Sequence, residues 1–280
     1  MDTRESKATM RWEELTGDQF LIAVERSQGV CMIAMSVLER HGHHLPVGTD
    51  MFIGHELLTR VAELEPAIVF PDYIFTQIPE ARHCAGTISI EPDLMLRLLD
   101  NVCREIARNG LKKIVLVNCH GGNNSFLPFF SEWQLSQPRD YVVYLVRPHS
   151  VLFGARGLPW APEMDGHAGP GETSIILRAR PELVDMQQVP PFDDEGKARN
   201  RLQALKDAGV RTGIWWYADY PTHYSGNAAP ATAEAGETLL EKMAQHVAHA
   251  VRVIKADTET ARLQKEFYEA SQAPSIPPIP

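Results

Sequence analysis

Cysteine is scarce in this chain: Cys31, Cys84, Cys103 and Cys119 are the only four in 280 residues, with no CxxC pair and no zinc-ribbon spacing. That pattern argues against a thiolate-built structural zinc site. Three of the four lie in or beside apolar segments, so buried free thiols and a reducing, cytoplasmic setting are expected. Positive charge is also in deficit. Lys and Arg number 27 against 36 Asp and Glu, for a net charge of -9. A nucleic-acid binder would show a basic patch or stripe, and the mildly basic run from Arg104 to Lys113 reads as the solvated end of a helix. No run approaches 18 apolar residues, so no membrane span is expected. The N-terminal Met1-Asp-Thr-Arg-Glu5 is polar and has no apolar h-region, so no signal peptide is expected.

What the chain does have is an ordinary apolar content of 44% and a length that suits one large α/β domain or two small ones. Residues 13–27 read as a helix with Asp18 at its cap or in its first turn. Gly29 to Leu38 is a continuous apolar run, the pattern of a strand buried on both faces. Asp50 to Glu63 is helical. Ala67 to Phe75 reads as a strand and Gly86 to Ile90 as a short one. Pro92 opens a helix that Gly110 closes. Ile114 to Val117 is a buried strand, Asn124 to Leu135 a short helix, and Tyr141 to Val146 a strand. Pro148 to Gly171 is an extended Gly-, Pro- and Trp-rich loop, with a helix from Glu172 to Ala179. Residues 185–230 read as irregular with one strand at most. A long helix is expected from Ala231 to about Glu266. We take residues 1–270 as a single domain and 271–280 as a Pro-rich tail, extended or disordered. No internal repeat or clear linker divides the chain. Alternating strands and helices imply an α/β fold, a three-layer α/β/α sandwich with a mostly parallel central sheet.

In such sheets ligands bind beyond the C-terminal ends of the strands. Three polar clusters follow apolar segments. The first is Glu39-Arg-His41-Gly-His43-His44-Leu-Pro46-Val-Gly-Thr49-Asp50. Glu39, His41 and Asp50 offer oxygen and nitrogen donors, a set that suits Zn, Mn or Fe. A carboxylate can bridge two ions roughly 3.5–4 Å apart, and Asp50 is the natural bridge because a Pro-containing turn returns it to the start of the loop. The plainer alternative makes His41, His43 and His44 exposed loop histidines, although Gly42 and Pro46 fix a tight path that a solvated loop does not need. The second cluster is Asn118-Cys119-His120-Gly121-Gly122-Asn123. Its glycines suit either a tight strand-to-helix turn or close backbone approach to a ligand. The third is Asp165-Gly166-His167-Ala-Gly-Pro-Gly171-Glu172-Thr. Glu172 alone fits the first turn of a helix, but that does not account for Asp165 and His167.

These segments resemble the creatininase (creatinine amidohydrolase) family. The matching residues are Glu39-x-His41-Gly-x-His44-Leu-Pro46-x-x-Thr49-Asp50, then Asn118-x-His120-Gly-Gly-Asn123, then Asp165-x-His167-Ala-Gly with Glu172-Thr-Ser174. Weaker matches are Gly86-Thr-Ile-Ser89 and Ala231-Thr-Ala-Glu-x-Gly236. The resemblance spans roughly residues 30 to 240. It implies a parallel α/β/α core, a hexamer, and two divalent metal ions (Zn, Mn or Fe) used to hydrolyse C–N bonds in amides, often cyclic ones. By that resemblance Glu39, Asp50 and His120 hold one ion, and His41 and a bridging Asp50 hold the other. His167 is the catalytic residue for proton transfer, with Asp165 or a backbone carbonyl orienting its ring. Asn123 would bind substrate or support a ligand. His44 is structural or supports the ligands, and His43 stands where relatives usually have Pro. The chain departs from creatininase at Gly122, where creatininase has a Glu that binds the second ion; Glu172 is the candidate replacement. It also departs in the loop from Glu80 to Gly86, which puts creatinine in doubt as substrate.

The expected function is a metal-dependent amidohydrolase that attacks a C–N bond of a small-molecule substrate with a metal-bridged water. Alternatives within the family are a formamide deformylase and a short-peptide hydrolase. A non-catalytic metal-binding assembly protein is the rival of another class. Trp160, Trp215 and Trp216 are either pocket walls or core and interface residues. Arg40, Arg82 and Arg147 are available for an anionic group. No nucleic-acid or membrane partner is expected.

Overall fold

The structure, a computed structural model, describes residues 9–151 and 158–274. Among the described residues four parallel strands form the central sheet: β1 (Val30–Met35), β2 (Ile68–Val69), β3 (Lys113–Asn118) and β4 (Val142–Val146), in the order β2-β1-β3-β4. The β1–β3 register pairs Val30 with Lys113 and Met35 with Asn118. Both strands therefore end at the same level, and the loops after them meet.

Around the sheet lie α1 (Gly17–Arg26), α2 (Thr49–Leu64), α3 (Pro92–Arg108), α4 (Asn123–Trp133), α5 (Pro170–Ala179), α6 (Gln203–Asp207), α7 (Trp215–Asp219), α8 (Ala233–Ala256) and α9 (Glu259–Gln272). Alternation along the strands divides the apolar side chains between two cores. Val30, Met32, Ala34, Val115 and Val117 pack with α2, α5 and α8. Cys31, Ile33, Met35, Ile114 and Leu116 face the other way, onto α1, α3 and α4. The result is the expected α/β/α sandwich. Every residue of β1 is buried, which is why its sequence is an unbroken apolar run. Among the described residues no helix is long and apolar enough to cross a membrane.

Several expected boundaries shift, each for a local reason. Asp18 lies in the first turn of α1 and Thr16 is its cap: the Thr16 hydroxyl accepts from Gln19 N at 3.3 Å while Gln19 Oε1 accepts from Thr16 N at 2.9 Å, a reciprocal capping box. The strand expected over Ala67–Phe75 shrinks to Ile68–Val69 plus an isolated bridge between Met35 and Tyr73. Pro71 supplies no N–H to continue the ladder. Gly86 to Ile90 is not a strand; it crosses under the first polar loop, with Ile88 N donating to Leu38 O at 3.2 Å. No strand lies among residues 185–230, which instead contain α6 and α7. Helix α5 begins at Pro170, so Glu172 sits in its first turn.

The long helix expected to Glu266 breaks after Ala256. Asp257 Oδ1 accepts from Glu259 N and Thr260 N at 3.0 and 3.2 Å, starting α9 afresh. Lys113 Nζ meanwhile donates to the carbonyls of Ile254, Lys255 and Asp257 at 2.8, 2.7 and 2.8 Å. It takes up the unsatisfied carbonyl end of α8. Of the Pro-rich tail, residues 275–280 lie outside the described residues, as do residues 152–157 of the extended loop.

Candidate metal centre

The loop after β1 closes on itself through Glu39 N donating to Val47 O at 3.0 Å. This brings Asp50, in the first turn of α2, back beside Glu39. Gly42 has φ +63°, and a Cβ there would lie 2.8 Å from His44 Nδ1. Only glycine takes that turn without strain. The loop after β3 delivers His120 to the same place.

Glu39, His41, Asp50 and His120 are all buried, at 1%, 0%, 2% and 6% exposure. Asp50 Oδ1 lies 3.2 Å from His41 Nε2 and its Oδ2 lies 3.0 Å from His120 Nδ1. Glu39 Oε1 lies 2.9 Å from the same His120 Nδ1. Glu39 Oε1 and Asp50 Oδ2 nevertheless lack a hydrogen bond of acceptable geometry. Two buried carboxylate oxygens that converge on one imidazole nitrogen, neither in a well-aligned hydrogen bond, would be costly in a purely structural cluster. They suit a divalent cation. Donor atoms of Glu39, Asp50 and His120 lie within 4.8 Å of one another, as do those of His41, His167 and Glu172, and those of Glu39, His167 and His223.

Backbone carbonyls set the histidine tautomers, because a carbonyl can only accept. His41 Nδ1 donates to Glu39 O at 3.2 Å, His120 Nε2 to Gln77 O at 3.0 Å, and His167 Nε2 to Arg40 O at 2.7 Å. The other ring nitrogens of His41 and His120 are the ones that face the carboxylates. Hydrogen bonds of this kind orient metal-ligating imidazoles.

The electrostatics agree. Burial opposes charge on His41, yet Asp50, Glu172 and Glu39 hold its ring up at about 9. Burial likewise works against the Glu39 carboxylate, but the imidazoles of His167, His120 and His223 keep it well below the usual carboxylate range. Glu172 is pushed by burial up to about 8, against the pull of His41. Its Oε2 accepts from Ala168 N at 2.6 Å and lies 3.7 Å from His41 Nε2. His167 is driven by burial down to about 3. At neutral pH it is an uncharged ring whose Nδ1 keeps a lone pair, packed against His41 at a 37° tilt with centroids 4.3 Å apart.

The remaining residues singled out in the sequence lie around this cluster. Asp165 does not reach the His167 ring; its Oδ1 accepts from Gly166 N and Gly171 N at 3.0 and 3.1 Å, and Arg40 O does the orienting. Asn123 is a buried strut, donating to Met35 O at 3.1 Å and accepting from Gln77 N at 3.4 Å. His44 bonds Thr173 Oγ1 at 2.9 Å, and burial lowers it to about 4. His43 is exposed beside Arg40. Cys119 is buried with its thiol on Val117 O at 3.5 Å, and burial raises its pKa. The motif from Ala231 to Gly236 serves packing: a Cβ on Gly236 would overlap Ser174 O, so that glycine lets α8 lie close on α5.

A cavity of about 2200 Å³ opens above the cluster, lined by His120, His167, Glu172, Trp215, Trp216 and Tyr217 among others. Arg82 and Arg147 also line it, while Arg40 does not. Trp160 is buried in the core instead. One site residue was not legible beforehand. His223, buried at 2% exposure, places Nε2 2.5 Å from Glu39 Oε2. A single His in a stretch without periodicity gave no signal.

Comparison with known proteins identifies the family. A model of the family described as Creatininase: Creatinine amidohydrolase matches residues 13–251. The chain is similar to a creatinine amidohydrolase of Pseudomonas putida, at 28% identity over 266 residues, covering 85% of this chain and 95% of that protein. It is also similar to a mycofactocin precursor peptide peptidase of Mycobacterium ulcerans (strain Agy99), at 28% identity over 221 residues, covering 76% and 80%. A solved structure named "Creatininase Mn" shares the fold with a TM-score of 0.68 at 24% identity, covering 88% of this chain and 98% of that one. With the family model spanning all three polar clusters and the sheet that presents them, this chain belongs to the creatininase family.

Proposed function

We propose that this protein is a divalent-metal amidohydrolase that adds water across a C–N bond. The observation that carries the reading is the Asp50 carboxylate, which turns one oxygen to His41 and the other to His120. Glu39, Asp50 and His120 would hold one ion. His41, Asp50 and Glu172 would hold a second, Glu172 standing in for the carboxylate that Gly122 lacks. Such ions, Zn, Mn or Fe, supply Lewis acidity toward an amide carbonyl and acidify water; a solved relative carries Mn in its name.

The protein's own part is proton transfer. His167 Nε2–H is spent on Arg40 O, so Nδ1 accepts a proton from the attacking water and returns it to the leaving nitrogen. One amide and one water become a carboxylic acid and an amine. Burial keeps the ring neutral, so the Nδ1 lone pair is not already taken by a proton.

A peptide substrate is the second reading. The cavity, at about 2200 Å³, exceeds the ~300–1,000 Å³ of ordinary small-molecule sites, and one relative is named a peptide peptidase. We further propose a homo-oligomer, supported by family membership, in a reducing cytoplasmic setting, supported by four buried free cysteines. The test is a screen of cyclic amides, formamides and short peptides against protein reconstituted separately with Zn, Mn and Fe. Hydrolysis dependent on the ion supports the proposal. Stoichiometric metal with no hydrolysis of any class would favour a non-catalytic metal-binding assembly protein.

A further inference from the structure

His223 lies outside all three polar clusters, and the proposed ligand set does not call on it. Its backbone has φ +59°, a left-handed conformation uncommon for any residue but glycine. The strained turn seats the ring between two partners. Trp216 Nε1 lies 2.8 Å from His223 Nδ1, and Glu39 Oε2 lies 2.5 Å from His223 Nε2. An indole N–H can only donate. Nδ1 therefore accepts and carries no proton, and the one N–H of the neutral ring is on Nε2, pointed at Glu39. In that tautomer Nε2 has no lone pair for an ion, so His223 is not itself a ligand while Trp216 holds it.

We infer that His223 is a positioning residue for the metal centre: the chain Trp216–His223–Glu39 clamps Oε2 of Glu39 and leaves Oε1, buried with no hydrogen bond of acceptable geometry, aimed at the ion beside His120. The inference rests on the metal reading given above. Trp216 is itself held in place, because Arg201 donates to the carbonyls of Tyr217 and Ala218 at the end of α7. Lys206 also pairs with the buried Asp219 at 2.5 Å. The irregular segment between residues 201 and 223 thus reaches Glu39 through the His223 imidazole, while Trp216 also meets the His167 ring edge-on at 5.9 Å.

The experiment uses metal-free full-length protein and measures Zn²⁺ and Mn²⁺ affinity by chelator competition, with circular dichroism as the check on folding. His223→Asn tolerates the left-handed backbone, but its amide falls short of Glu39. Its affinity should drop about 10- to 100-fold, the usual effect of losing a ligand's orienting partner. His223→Gln, whose amide reaches as far as Nε2, should recover most of the loss. Trp216→Phe, which frees the tautomer without touching Glu39, should weaken binding several-fold. Wild-type affinity in His223→Asn would overturn the inference. Should that variant not fold, unchanged affinity in Trp216→Phe would overturn it equally. Wild-type protein that binds neither ion would overturn the metal reading itself, a result distinguishable from both.

Discussion

Gly122 makes room for His120. A Cβ at position 122 would overlap His120 Nε2, and would also lie 2.6 Å from Gln77 Oε1 and 2.8 Å from Glu80 Oε1. The glycine where creatininase has a glutamate is therefore built into this site. Gly122→Ala and Gly122→Glu should both displace the ring from Gln77 O and lower metal content, measured by elemental analysis of purified protein. A Gly122→Glu variant with full metal content and a gain of creatinine hydrolysis would contradict this.

Asp50 and Glu172 should differ in what they cost. Asp50→Asn removes the carboxylate that faces both imidazoles and should abolish tight binding of both ions. Glu172→Gln should lose one ion and keep the other. Metal-to-protein ratios after gel filtration distinguish the two outcomes. Ligand binding to the native state alone contributes ~2.7 kcal/mol at a hundredfold excess over Kd. Chelation should accordingly lower the melting temperature of the wild type by several degrees and leave Asp50→Asn unmoved.

His167 should govern turnover without governing metal content. His167→Ala is expected to keep both ions and to lose about 10²–10⁴-fold in kcat, read by steady-state kinetics on whichever amide the screen identifies. Equal activity would remove the proton-transfer role.

Asp257 should mark the acid limit of the fold. Hydrogen bonds from Thr260 and Tyr144 hold its carboxyl down at about 2, from an ordinary 3.8. A depressed carboxylate contributes stability that is fully present above its unfolded value and lost as pH falls through its folded value. The window is therefore about pH 4 to 2. Circular dichroism at constant temperature should show Asp257→Asn less stable than wild type above pH 4, with a shallower loss of stability across that window.

The parts of the fold legible in the sequence were those written into single segments. β1 and β3 are apolar on both faces because they are buried on both faces, and α3 lies between Pro92 and Gly110. The same holds for the site: Glu39, His41, Asp50 and His120 follow those two strands and meet because the strands end level. What was illegible depends on distant partners. Between Ala231 and Glu266 no Gly or Pro marks the break, and the cap that Asp257 gives Glu259 N and Thr260 N is a weak local signal; Lys113 and Tyr144, from two strands, help to set the break there. His223 is likewise defined by Trp216 and Glu39, the latter 184 positions away, and no periodicity records such a contact.

Lys113 has a consequence beyond the end of α8. It opens β3, and His120 stands just past the other end of that strand, about 23 Å away at ~3.3 Å per residue. A strand whose first residue is anchored to three carbonyls of the C-terminal helices cannot slide along its own axis. The C-terminal region thus acts as a stop that sets how far His120 projects beyond the sheet.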